Sequence, residues 1–107
     1  MSSALVVIPT YNEIENIEKL LRNIFSLQRD FHVLIVDDNS PDLTGAKVKE
    51  LQTEFPEILF IIEREGKLGL GTAYIKGFQW GLEKGYDYIF EMDADFSHNP
   101  NDLIRLY

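Results

Sequence analysis

Four short apolar runs, Ala4–Ile8 (ALVVI), Phe31–Val36 (FHVLIV), Ile58–Ile62 (ILFII) and Tyr86–Phe90 (YDYIF), recur along the chain with helix-period segments between them. Runs this short, rich in β-branched and aromatic residues, read as strands, and continuous hydrophobicity implies burial on both faces. After the first run, Ile14, Ile17, Leu20, Leu21 and Ile24 repeat at helical spacing. Asn12 and Glu15 have the form of a capping box, so a helix is expected over Glu13–Leu27. Ser40 or Asp42 can cap a second helix, with Pro41 near its first turn. Its expected inner face is Leu43, Ala46, Leu51 and Phe55, and Pro56 closes it.

A third helix is expected over Leu70–Lys84, with Leu70, Ala73, Tyr74, Gly77, Phe78, Gly81 and Leu82 inward. Ala73, Gly77 and Gly81 lie four apart, a smooth stripe that lets the helix sit close to a sheet. Each interior glycine costs roughly 1 kcal/mol against alanine, which close packing would offset. Trp80 falls off that face and is expected to mark a surface that further structure covers.

The resulting βαβαβαβ order predicts an α/β fold: a parallel sheet with right-handed crossovers and helices on both faces. The expected strand order is 3-2-1-4. Ligands of such sheets bind beyond the carboxyl ends of the strands. Three polar clusters fall there: Pro9–Glu13 after the first strand, Asp37–Pro41 after the second and Asp93–His98 after the fourth.

The last cluster carries Asp93-Ala94-Asp95. Residues two apart in extended backbone point the same way, so both carboxylates can face one ion. Two like charges that close raise each other's pKa unless a cation neutralises them. Oxygen ligands without cysteine suit Mg²⁺ or Mn²⁺ rather than zinc. Aspartate is also a common turn residue, so a turn-capping reading stands beside the metal reading.

Composition narrows the partners. A net charge of −8 argues against nucleic acid as a ligand. It also means that an anionic ligand needs a cation or backbone donors. No apolar run approaches the ~20 residues of a membrane span. Met1-Ser2-Ser3 leads directly into the first strand without a basic n-region, and cysteine is absent, so a reducing, cytoplasmic setting is expected.

Known nucleotide motifs fit poorly. Gly69-Leu70-Gly71 opens like a dinucleotide fingerprint, but Tyr74 stands where a small residue is required. No Gly-Lys-Ser/Thr follows a glycine loop. A receiver domain would need its acid pair after the first strand, whereas Asp37-Asp38 follows the second.

Val7–Glu13 (VIPTYNE), Val36–Asp42 (VDDNSPD), Lys67–Tyr74 (KLGLGTAY) and Met92–His98 (MDADFSH) occur in that order. Together they resemble the N-terminal half of family 2 inverting glycosyltransferases of the GT-A fold. The subgroup they look most like is the dolichol-phosphate or polyprenol-phosphate mannosyltransferases, and the likeness runs over essentially the whole chain. The resemblance implies a Rossmann-like half-domain that binds a nucleotide sugar. It implies transfer of mannose from GDP-mannose to a dolichyl or polyprenyl phosphate, at the cytoplasmic face of a membrane.

By the same resemblance, Pro9, Tyr11 and Glu13 would line the nucleotide pocket. Val36 and Asp38 would sit by the base, with Asp38 accepting from its ring N–H groups and Asp38→Ala leaving thermal stability nearly unchanged. Asp93 and Asp95 would be the catalytic pair holding Mg²⁺ or Mn²⁺ against the diphosphate, with Ala94 in the same pocket and Ser97 near the metal. Lys67 is a phosphate contact or a solvated loop lysine, and His98 reads as a turn residue. Residues 1–107 are expected to be a donor-binding part of a longer protein, because Leu103–Tyr107 ends a helix after about two turns. Alternatives are a non-catalytic nucleotide-diphosphate-binding module, or a family 2 transferase using another nucleotide sugar of the UDP-glucose type. Self-association of so short a piece is also expected.

Overall fold

A computed structural model describes residues 4–26, 31–65 and 69–92. The elements run β1 (Ala4–Thr10), α1 (Ile17–Phe25), β2 (Phe31–Asp37), α2 (Thr44–Leu51), β3 (Leu59–Glu63), α3 (Leu70–Glu83) and β4 (Tyr88–Glu91). All strand pairs are parallel, in the expected order β3-β2-β1-β4. The central strands are mostly apolar because both faces are covered. Ala4, Val6 and Ile8 of β1, with Val33 and Ile35 of β2, pack against Ile17, Leu20, Leu21 and Ile24 of α1 and Val48 and Leu51 of α2. The alternate residues Leu5, Val7, Leu34 and Val36 pack on the other face, against Ala73 of α3.

The small stripe on α3 does what its spacing predicts. A Cβ added at Gly77 would lie 2.3 Å from Val7 Cγ1, and one at Gly81 would lie 2.8 Å from Ile89 Cδ1. No side chain fits in those gaps, so the helix rests directly on β1 and β4.

Several local expectations are corrected. Helix α1 starts at Ile17 rather than Glu13, and Asn12 makes no capping box, being in left-handed backbone (φ 57°). The N–H groups of residues 12–14 are bonded to side chains of another loop, which holds this stretch out of the helix. Leu27 lies outside the described residues. Helix α2 begins at Thr44 and buries Thr44, Gly45, Val48 and Leu51. Leu43 and Ala46, expected inward, are exposed, because Leu43 precedes the helix at φ 72° and rotates the frame.

On α3, Leu82 is 71% exposed, whereas Trp80 is half-buried. Its ring lies 5.0 Å from Phe60 and stacks on Tyr86 at 6.2 Å, so it packs within this chain. His32 Nδ1 and the Tyr86 hydroxyl, 2.7 Å apart, extend that aromatic group along the same face. Ile75 and Leu82 remain as exposed apolar positions on α3. Among the described residues no helix is long and apolar enough to cross a membrane.

Candidate functional site

The parallel sheet carries the ends of β1, β2 and β3 to one edge in a row, Thr10 paired with Asp37 and Asp37 with Glu63. Ladder bonds continue one residue further. Asp38 N–H donates to the Thr10 carbonyl at 3.1 Å, and Arg64 N–H to the Asp37 carbonyl at 2.8 Å. On the other side of β1, Met92 N–H donates to the Val7 carbonyl at 3.1 Å. Residue 92 is therefore fixed beside β1 immediately before Asp93-Ala94-Asp95. Those three residues, with Ser97, His98 and Lys67, lie outside the described residues.

Two loops, β1–α1 and β2–α2, are stitched into one frame. Asn12 N–H donates to Ser40 Oγ at 2.9 Å, Glu13 N–H to Thr44 Oγ1 at 3.0 Å and Ile14 N–H to Asp42 Oδ2 at 3.1 Å. Ser40 and Asp42 of the second loop and Thr44 at the start of α2 thus satisfy three consecutive backbone donors of the first. This is why a sequence of Asp, Asn, Ser and Pro forms ordered structure here. Asp42 also accepts from the N–H and hydroxyl of Thr44, which anchors the start of α2.

Burial alone would push the Asp42 carboxyl up, but bonds from the Thr44 hydroxyl, Ile14 N–H and Thr44 N–H hold it below the ordinary carboxylate range. A depressed value means that its stabilisation is present above the unfolded pKa and is lost as pH falls through the folded one. Asp42→Asn is therefore expected to flatten the acid limb of a melting-temperature profile. An acid limb as steep as in the native chain would show that Asp42 does not hold the two loops together.

The paired acids after β2 have separate jobs. Asp37, 1% exposed, accepts from the Thr10 hydroxyl at 2.6 Å and from the N–H and hydroxyl of Ser40 at 3.0 and 2.7 Å. It is a structural post. Asp38, 6% exposed, is held by Arg64. Nε donates to Oδ1 at 2.6 Å and Nη2 to Oδ2 at 2.9 Å, a bidentate fork. Nη2 also reaches the Gly69 carbonyl at 3.1 Å, and Nη1 the Thr72 hydroxyl at 2.9 Å.

Among the described residues, no buried polar side-chain atom lacks a partner, and no cluster of three His, Cys, Asp or Glu could hold a metal ion. The 37–38 pair is satisfied by protein donors. An all-oxygen set of two carboxylates and a hydroxyl, as Asp93, Asp95 and Ser97 carry, has the chemistry that Mg²⁺ or Mn²⁺ prefers.

The other expected site residues lie on or near the same edge. Pro9 pairs with Val36 across the β1–β2 ladder, and Pro9, Tyr11 and Glu13 are half-buried. Val36 is fully enclosed among core residues, so its side chain supports the edge from beneath. Sequence reasoning missed Arg64 and the stitching roles of Thr10, Ser40, Asp42 and Thr44. Arg64 was detectable only as a charge one place beyond β3 that faces an acid one place beyond β2, which requires the strand register.

Fold and edge define a parallel four-stranded α/β sheet with alternating helices. A family model described as glycosyl transferase family 2 matches residues 5–107, and the chain belongs to that family. It is 48% identical over 102 residues to a polyprenol monophosphomannose synthase of Mycolicibacterium smegmatis, covering 95% of this chain and 38% of that protein. It is 49% identical over 102 residues to an undecaprenyl-phosphate mannosyltransferase of Micrococcus luteus, covering 95% and 42%. The chain therefore spans about two-fifths of the length of these curated relatives. Among solved structures it is similar to the mannosyltransferase PcManGT of Pyrobaculum calidifontis in complex with GDP-Man and Mn²⁺. That match has a TM-score of 0.67 and 28% identity, over 72% of this chain and 24% of the other.

Proposed function

We propose that residues 1–107 are the donor-binding part of a transferase that moves mannose from GDP-mannose onto a polyprenyl or dolichyl phosphate with inversion. The observation that carries this reading is the edge where β1 and β2 end level at Thr10 and Asp37, with β4 running parallel beside β1 toward it, in a chain whose relatives are named for that lipid chemistry. Pro9, Tyr11 and Glu13, at the end of β1 and in the stitched loop after it, would line the nucleotide pocket together with Ala94, and Val36 would support its floor. Asp38 would accept from the ring N–H groups of the base.

Asp93 and Asp95, with Ser97 nearby, would hold Mg²⁺ or Mn²⁺, which supplies Lewis acidity to the leaving diphosphate when bound. A lipid phosphate is already ionised at neutral pH, so the chain needs no strong general base for the acceptor. Such an acceptor sits in a bilayer, which would place the intact protein at the cytoplasmic face of a membrane.

Radiolabelled GDP-mannose, a polyprenyl phosphate and Mn²⁺ supplied to the intact protein should yield a labelled mannosyl lipid. Residues 1–107 alone should bind nucleotide without transferring sugar. Transfer from a UDP-sugar instead of GDP-mannose would overturn the donor assignment. Robust transfer by residues 1–107 would overturn the division of labour.

A further inference from the structure

Arg64 links three parts of the site edge, and none of the roles above uses it. It leaves the end of β3, crosses the end of β2 and reaches the first turn of α3. Four hydrogen bonds fix it: two to Asp38, one to the Gly69 carbonyl and one to the Thr72 hydroxyl. Its side chain and that of Asp38 are each only 9% exposed. Thr72 Oγ1 in turn donates to the Gly69 carbonyl at 2.9 Å, closing a small ring at the start of α3. Gly69 sits at φ 106°, where a residue with a side chain would be strained. The carbonyl that Arg64 grips therefore depends on that glycine.

We infer that Arg64 is a positioning residue for nucleotide selection, acting through Asp38. This rests on the reading of Asp38 as the acceptor for a base N–H. A carboxylate on a loop can rotate about its own side-chain torsions, which blurs the direction of its lone pairs. The planar fork of Arg64 removes that freedom, because both oxygens are engaged at once and the guanidinium is pinned at its far side. The carboxylate is thereby held in one plane before any ligand arrives, which lowers the ordering cost of binding. Lysine cannot reproduce this. It offers a point charge without a planar fork, so it can neutralise Asp38 but not orient it.

The test compares nucleotides that differ in what the base presents. GDP offers a ring N–H to a carboxylate, whereas the corresponding adenine nitrogen of ADP is an acceptor and gains nothing from it. Equilibrium binding of GDP and ADP, each with Mn²⁺, is measured on the full chain and on Arg64→Lys, Arg64→Ala and Asp38→Asn. Arg64→Lys keeps the positive charge and guards against a misfolded Arg64→Ala. Circular dichroism and melting temperature show which variants are folded.

The native chain should prefer GDP over ADP. Arg64→Lys should compress that preference about tenfold while ADP affinity changes little, as expected when an acceptor is misaligned rather than removed. Asp38→Asn should compress it as well. Equal weakening of GDP and ADP by Arg64→Lys would make Arg64 purely structural and overturn the inference. Compression by Asp38→Asn alone would also overturn it while leaving the base reading of Asp38 standing. No compression by either variant would remove the base reading itself, and with it the role of Arg64.

Discussion

Replacing Gly77 with valine is expected to cost about 3 kcal/mol of stability, enough to lower the melting temperature by more than about 10 °C. The added Cβ alone would lie 2.3 Å from Val7 Cγ1 and 3.0 Å from Val7 Cγ2. Val7 is fully buried between α3 and the rest of the sheet, so it has no free volume to move into. Helix α3 would have to lift from β1, and Ala73 and Gly81 would lose their contacts with it. Gly71 is the internal control, because nothing lies within 4 Å of its added Cβ. Gly71→Ala on the same helix should raise stability by about 0.5 kcal/mol, through helix propensity and a less flexible unfolded chain. Thermal or urea unfolding of the two variants reads the difference. A Gly77→Val variant as stable as the native chain would show that α3 does not sit on β1 at this distance.

Removing the Asp38 carboxylate is expected to weaken nucleotide binding and also to destabilise the fold by on the order of 3 kcal/mol. Deleting one partner of a buried ion pair strands the other. Here the stranded group is Arg64, 9% exposed, with two of its four bonds gone. The sequence alone suggests that Asp38→Ala spares stability, and the ion pair reverses that expectation. Unfolding of Asp38→Ala beside Asp38→Ala/Arg64→Met separates the effects, since the second change removes the stranded charge and should recover much of the loss. No loss in the single variant would mean that the pair does not contribute to stability.

These cases show what the residues alone could reveal. Strand order and the two-faced core are legible because short runs of five or six residues alternating with helical repeats leave few arrangements. The close approach of α3 is legible in Ala73, Gly77 and Gly81 for the same reason, since only packing explains small residues four apart. Helix starts are not. Asn12 and Glu15 spell a capping box, yet the backbone donors of residues 12–14 are bonded to Ser40, Thr44 and Asp42, roughly thirty residues away. The acids divide in the same way. Ser40, three residues along the loop, bonds Asp37 locally, but Thr10 on β1 and Arg64 just beyond β3 complete the division, the first bonding Asp37 and the second Asp38. The frame of the site is built from contacts across strands, and such contacts become readable only once the register is known.

Donor binding through the paired aspartates is tested most directly by calorimetry of GDP with the native chain and with Asp95→Asn, each with and without Mn²⁺. The native chain should bind GDP at least about tenfold more tightly with the metal, because an ion held by Asp93 and Asp95 would offset the charge of the diphosphate. Asp95→Asn should lose that gain and keep its melting temperature. Equal GDP affinity in the native chain with and without Mn²⁺ would contradict a metal-bridged donor site at Asp93 and Asp95.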